Sequence, residues 1–86
     1  MPDILPPPRL LTAARALAGL TQRELAQAAG INTSLIGRYE AGLSTLRSDS
    51  FNAILTALRR YGIRFVGETD EVAMGVLLLK ERTTGS

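Results

Sequence analysis

The side chains best equipped for chemistry in this chain are arginines. Arg9, Arg15, Arg23, Arg38, Arg47, Arg59, Arg60 and Arg64 stand in residues 1–64 against Asp3, Glu24, Glu40 and Asp49, a balance of +4. Residues 65–86 reverse the sign, with Lys80 and Arg82 against Glu68, Asp70, Glu71 and Glu81, a balance of −2. A guanidinium is a planar fork that donates hydrogen bonds in pairs, which suits phosphates and base edges. The competing account is a solvated surface, because a basic face is only a footprint of nucleic-acid binding. The chain has no His and no Cys. That removes the commonest general base and metal ligand, any thiolate site and any disulfide. With carboxylates scattered, no catalytic constellation remains, so an enzyme is not expected. Nor does the sequence point to a metal, a cofactor or a small-molecule ligand.

The elements that must position these arginines are short. At 86 residues and 45% apolar composition, the chain is one domain near the lower limit for an independent core. No apolar run reaches the length of a membrane span. The opening MPDILPPPRL lacks both a basic start and a long apolar stretch, so it does not read as a signal peptide. A cytoplasmic protein is expected. Residues 1–8 read as a flexible arm, with Pro6, Pro7 and Pro8 favouring an extended conformation. Residues 9–62 read as a helical domain, 63–80 as a β-hairpin and 81–86 as a frayed tail.

Helix 1 is predicted over 9–18, with Leu10, Ala13 or Ala14, and Leu17 on its inward stripe. Pro8 can occupy its first position, and Gly19 ends it. Thr21 followed by Glu24 is a capping box that opens helix 2, QRELAQAA, with Leu25, Ala28 and Ala29 inward. Gly30 supplies a left-handed exit. Asn32 or Thr33 caps helix 3, which runs to about Ala41 with Leu35, Ile36 and Tyr39 inward and Gly42 beyond its end. Residues 43–48 form a loop. Helix 4 spans roughly 49–61, with Phe51, Ile54, Leu55 and Leu58 inward and charges that suit its dipole at both ends. Beyond Gly62, IRFVG and VAMGVLLLK read as two strands joined through the polar ETDE.

Helices 2 and 3 are joined by a short turn containing Gly, which makes them a helix-turn-helix candidate. Ala26 is small enough to let the two backbones approach, and Leu25, Ala29, Ile31, Ile36 and Tyr39 fill positions that must be apolar. The stretch resembles the Cro and phage-repressor type of helix-turn-helix domain, the XRE family, whose pattern is TQxELAxxAGIxxSxIxxYExG. Thr21, Gln22, Glu24, Leu25, Ala26, Ala29, Gly30, Ile31, Ser34, Ile36, Tyr39, Glu40 and Gly42 match it. The resemblance covers about residues 9–61. Gly62, Ile63, Phe65, Gly75, Val76 and Leu78 are similar to the paired strands that follow the helices in many small members, although ETDE departs from their Gly/Asn-rich turn.

The resemblance implies a mainly α fold: a four-helix, lambda-repressor-like domain followed by a C-terminal hairpin. It also implies that helix 3 enters the major groove of double-stranded DNA. Asn32, Thr33, Ser34 and Arg38 are then the base-contacting residues, with Arg38 able to donate twice to a guanine. Gln22 at the N-terminus of helix 2, Arg23 and Arg47 are expected on phosphates. Gly37 either admits a close approach of the groove or phosphate, or is simply tolerated at a helix-propensity penalty of about 1 kcal/mol. Arg15 and Glu40 are implied to form a structural ion pair between helix 1 and the end of helix 3. Tyr39 reads as core. Arg59, Arg60 and Arg64 are either solvated or line an intersubunit surface.

The hairpin is expected to make a homodimer. Two strands alone are marginal in water and leave exposed edges. Pairing with a second copy gives a four-stranded sheet whose inner face covers helix 4, with Ile63, Phe65, Met74, Val76 and Leu78 at the interface. On that account a chain cut after Gly62 remains wholly or partly folded. The rival account packs the hairpin onto its own helices. The expected function is a sequence-specific transcriptional regulator, a repressor on a palindromic operator. The alternative is an antitoxin-type regulator of another protein, with secondary DNA binding.

Overall fold

A computed structural model describes residues 7–67 and 74–80 of the chain. Four helices, α1 (Pro8–Ala18), α2 (Gln22–Ala29), α3 (Thr33–Glu40) and α4 (Ser48–Arg60), precede two strands, β1 (Ile63–Val66) and β2 (Gly75–Leu78). The strands pair antiparallel, with Ile63 opposite Leu78 and Phe65 opposite Val76. The fold is mainly helical with a C-terminal hairpin, as the sequence pattern predicts. The ETDE turn and the arm and tail segments 1–6 and 81–86 lie outside the described residues. Among the described residues no helix is long and apolar enough to cross a membrane.

The helix ends follow local chemistry. Pro8 opens α1 and Gly19, in the left-handed region at φ 77°, closes it. The capping box of α2 is reciprocal: Glu24 N donates to Thr21 Oγ1 at 3.0 Å, and Thr21 N donates to Glu24 Oε1 at 2.9 Å. Two orphan donors of the first turn are thereby satisfied. Gly30 at φ 73° turns the chain out of α2. Asn32, not Thr33, caps α3, and its Oδ1 accepts from both Ser34 N and Ser34 Oγ at 2.9 Å. α4 begins at Ser48 without a side-chain cap.

The core holds Leu11, Ala14, Leu25, Ala26, Ile36, Tyr39, Leu46, Phe51, Ile54, Ala57, Leu58 and Ile63. In α1 the buried residues are Leu11 and Ala14: of the two alanines offered, Ala14 faces inward, Leu11 takes the place expected of Leu10, and Leu17 is exposed. The doublets Leu10–Leu11 and Ala13–Ala14 offer two stripes, and Arg15 selects between them. Its side chain reaches α3, and Leu11 and Ala18 share its side of the helix at i−4 and i+3. Ala26, rather than Ala28 or Ala29, is the fully buried alanine of α2. Leu46 in the α3–α4 connection and Ala57 in α4 also enter the core.

The hairpin packs on its own helices, β2 against α1 and β1 against α4. Ile63 is 2% exposed within the chain's own core, so it is withdrawn from the expected dimer interface. Phe65 and Val76, on the same sheet face, are half-buried against that core. Met74 precedes β2 rather than belonging to it, so the strand is shorter than VAMGVLLLK suggests. Leu78 is 55% exposed. A backbone bond from Leu79 N to Gly62 O, 2.8 Å, ties the exit of β2 to the end of α4.

Candidate nucleic-acid interface

The three helices that carry the motif meet at Glu40. Arg15, from α1, donates through Nε to Glu40 Oε2 and through Nη2 to Glu40 Oε1, both at 2.9 Å. Its Nη1 donates to Leu20 O at 3.0 Å. Gln22, the first residue of α2, donates from Nε2 to Glu40 Oε1 at 3.0 Å. The fork-to-fork geometry is the strongest arrangement available to a guanidinium and a carboxylate. The side chains are largely withdrawn from water, with 18% of Arg15 and 6% of Glu40 exposed. Burial pushes the Glu40 carboxyl up, but the bonds from Arg15 and Gln22 and the Arg15 charge outweigh it and hold the group low. The bond to Glu40 raises Arg15 in turn. Both groups are therefore charged at neutral pH.

This network fixes the two elements that present the polar face. Gln22 stands at the N-terminus of α2, where Thr21 and Glu24 have already satisfied two donors. The N–H groups of Gln22 and Arg23 remain directed out of the first turn. On α3, Thr33, Ser34, Gly37 and Arg38 share one side of the helix by spacing. Thr33, Ser34 and Arg38 are exposed, as are Asn32 and Arg23. Among the described residues, no carboxylate pairs with Arg23 or Arg38. Arg47 is exposed as well, and its guanidinium lies 3.6 Å from Asp49, which leaves it partly neutralised.

Gly37 lies beneath the Gln22 side chain. A Cβ placed there would meet Gln22 Oε1 at 3.3 Å and Gln22 Cδ at 3.9 Å. Its half-burial is thus by a neighbouring amide of the same chain. The contact from Gln22 to Glu40 and the third Arg15 bond to Leu20 O were not anticipated from the sequence. The one signal for the former is Gly37 itself, a gap in a helix face one turn before Glu40. Asn32 and Ser34 are joined through the cap, which occupies the Asn32 Oδ1 and leaves the side-chain amide N–H groups to donate.

The resulting face offers hydroxyl, amide and guanidinium groups on one short helix, beside a helix N-terminus. Such a set can satisfy both base edges and phosphate oxygens. By contrast, no group of three or more His, Cys, Asp or Glu suited to a metal ion occurs among the described residues. A comparison with curated proteins finds no match. A family model described as helix-turn-helix matches residues 11–64, from the first core leucine of α1 into β1. The match covers more than half of the chain and spans the α1–α3 network as well as the exposed face. The chain belongs to the Cro- and repressor-type helix-turn-helix family of DNA-binding transcriptional regulators.

Proposed function

We propose that this protein reads a specific DNA sequence with α3 and represses transcription from a palindromic operator as a homodimer. The observation that carries the reading is Arg38, exposed and without a carboxylate partner among the described residues, on the same side as Thr33 and Ser34 of a helix held to α1 and α2 through Glu40. Arg38, Thr33, Ser34 and the Asn32 amide contact base edges. Arg23, Gln22 and the free N–H groups at the start of α2 hold a phosphate, and Arg47 holds another in exchange for Asp49. The Arg15–Glu40 pair sets the angle of α3. A two-stranded sheet leaves an unpaired edge on each strand, and one such edge, with the exposed Leu77 beside it, joins two copies. Such a regulator works inside the cell, on the nucleoid.

Selection from a pool of randomised duplexes tests this reading. The expected product is a sequence with two inverted half-sites about one helical turn apart, the spacing of two recognition helices in a dimer. Enrichment of a single half-site would remove the dimer and leave the recognition helix. No enrichment at all would remove sequence-specific recognition.

Gly37 gives a second test. Gly37→Ala gains about 1 kcal/mol of helix propensity, and a Gln22 amide pushed off the Glu40 carboxylate loses a bond worth about 1.5–3 kcal/mol. Stability should therefore fall by about 0.5–2 kcal/mol, whereas duplex affinity should fall several-fold. If the gap serves Gln22, the same substitution in a Gln22→Ala background should weaken binding no further. An undiminished effect there would show that DNA itself approaches Gly37.

A further inference from the structure

A groove of about 750 Å³ lies where the end of α4 meets the hairpin. Four cations border it: Arg59, Arg60, Arg64 and Lys80. Two of them are held by backbone oxygens. Arg60 Nη2 donates to Ala28 O at 2.9 Å, and Arg64 Nη1 donates to Ile63 O at 3.0 Å and Arg59 O at 3.4 Å. Among the described residues, no carboxylate forms an ion pair with any of the four. Like charges gathered on one surface attract an anion. The remaining lining is apolar: Tyr61, Leu78 and Leu79 are 46%, 55% and 43% exposed. Gly62 lies against this wall, where a Cβ would be in ordinary contact with Leu78 Cδ1 at 3.6 Å, and its φ of 82° is the left-handed turn that favours glycine.

The lining distinguishes among occupants. A phosphodiester backbone offers nothing to match two leucines and the body of a tyrosine. Arg60 bonds to Ala28 at the C-terminal end of α2, whereas Gln22 marks the other end, so the groove is set apart from the phosphate-holding turn. Arg and Tyr around a small apolar centre are the residues that anchor protein interfaces. We propose that this groove docks an acidic segment of another protein, with the four cations meeting its carboxylates and Tyr61, Leu78 and Leu79 receiving a large apolar side chain.

The test uses the full chain and a dye-labelled peptide of four Leu-Asp-Glu repeats, followed by fluorescence polarisation. Arg59→Glu combined with Lys80→Glu is the informative variant, because neither side chain makes a bond or ion pair within the described residues. The neutral pair Arg59→Gln and Lys80→Gln serves if charge reversal impairs folding. Saturable binding is expected, weakened at least tenfold by the charge reversal, and measurably by the neutral pair. A Ser-Asp-Glu peptide should also bind at least tenfold more weakly, and Arg38→Ala should bind the original peptide normally. No saturable binding at millimolar peptide overturns the proposal, as does equal binding by the variant. Equal binding of the serine peptide would reduce the groove to a non-selective charged surface. A fall in sedimenting mass on charge reversal would make the occupant a second copy.

Discussion

A chain ending at Gly62 is expected to lose its cooperative thermal transition. The truncation removes Ile63, which is 2% exposed in the central core, and with it the half-buried Phe65 and Val76. Loss of a buried isoleucine side chain alone destabilises by about 2–5 kcal/mol. Removal of β2 also uncovers the face of α1 that the strand packs against. A 62-residue core rarely has more than about 3–5 kcal/mol of stability to lose. Retention of a folded helical domain after the cut, which follows from a hairpin devoted to dimerisation, is therefore not expected from this packing. Circular dichroism during heating checks the point. A sigmoidal melt within a few degrees of the full chain would show that the hairpin is an appendage.

Removing either partner of the Arg15–Glu40 pair is expected to destabilise by about 2–4 kcal/mol, slightly below the fully buried case because part of Arg15 reaches water. Glu40→Ala strands a guanidinium whose remaining acceptor is Leu20 O. Arg15→Ala strands a carboxylate whose remaining bond among those with Arg15 and Gln22 is the one from Gln22. Replacing both with fitted apolar residues, as in Arg15→Met with Glu40→Leu, leaves no unpaired charge and should be milder than either single change. Melts of the four proteins decide, and additive losses would mean that the pair is not coupled. The pH dependence carries the same information. Glu40 titrates below its ordinary 4.5, so its contribution is present above that pH. It is lost as pH falls through the lowered native value. The stability gap between the native chain and Glu40→Gln should narrow correspondingly in acid. A gap constant from neutral pH to strong acid would contradict the assignment.

Local chemistry was legible in the sequence; among the crossings, the Arg15–Glu40 pair was legible through the family resemblance and the rest were not. Thr21 with Glu24, Gly30, Asn32 and Gly42 mark their helix ends because each acts within a few residues. The phase of α1 was left open between Ala13 and Ala14 and misread at Leu10 and Leu17, because adjacent Leu and Ala doublets offer two rotations, and the reach of Arg15 to Glu40, 25 residues away, selects one. Ile63 shows the same limit. A β-branched run reads as a strand, but which side of the strand is buried depends on α1 and α4. The exposed face of α3 was readable from helical spacing alone. The Gln22 amide over Gly37 was not, because it depends on how closely α2 and α3 cross. That crossing gives Gly37 a neighbour within its own chain.

Recognition by α3 is tested most directly by titrating the selected operator and an unrelated duplex with the native chain and with Arg38→Ala, at several salt concentrations. Arg38→Ala should lose about 1–3 kcal/mol on the operator, accept substitutions at one base position and change little on the unrelated duplex. Arg23→Ala, by comparison, should weaken both duplexes alike and flatten the salt dependence by one phosphate contact. Unchanged affinity and unchanged selectivity in Arg38→Ala would contradict the assignment of this helix face as the reader of DNA sequence.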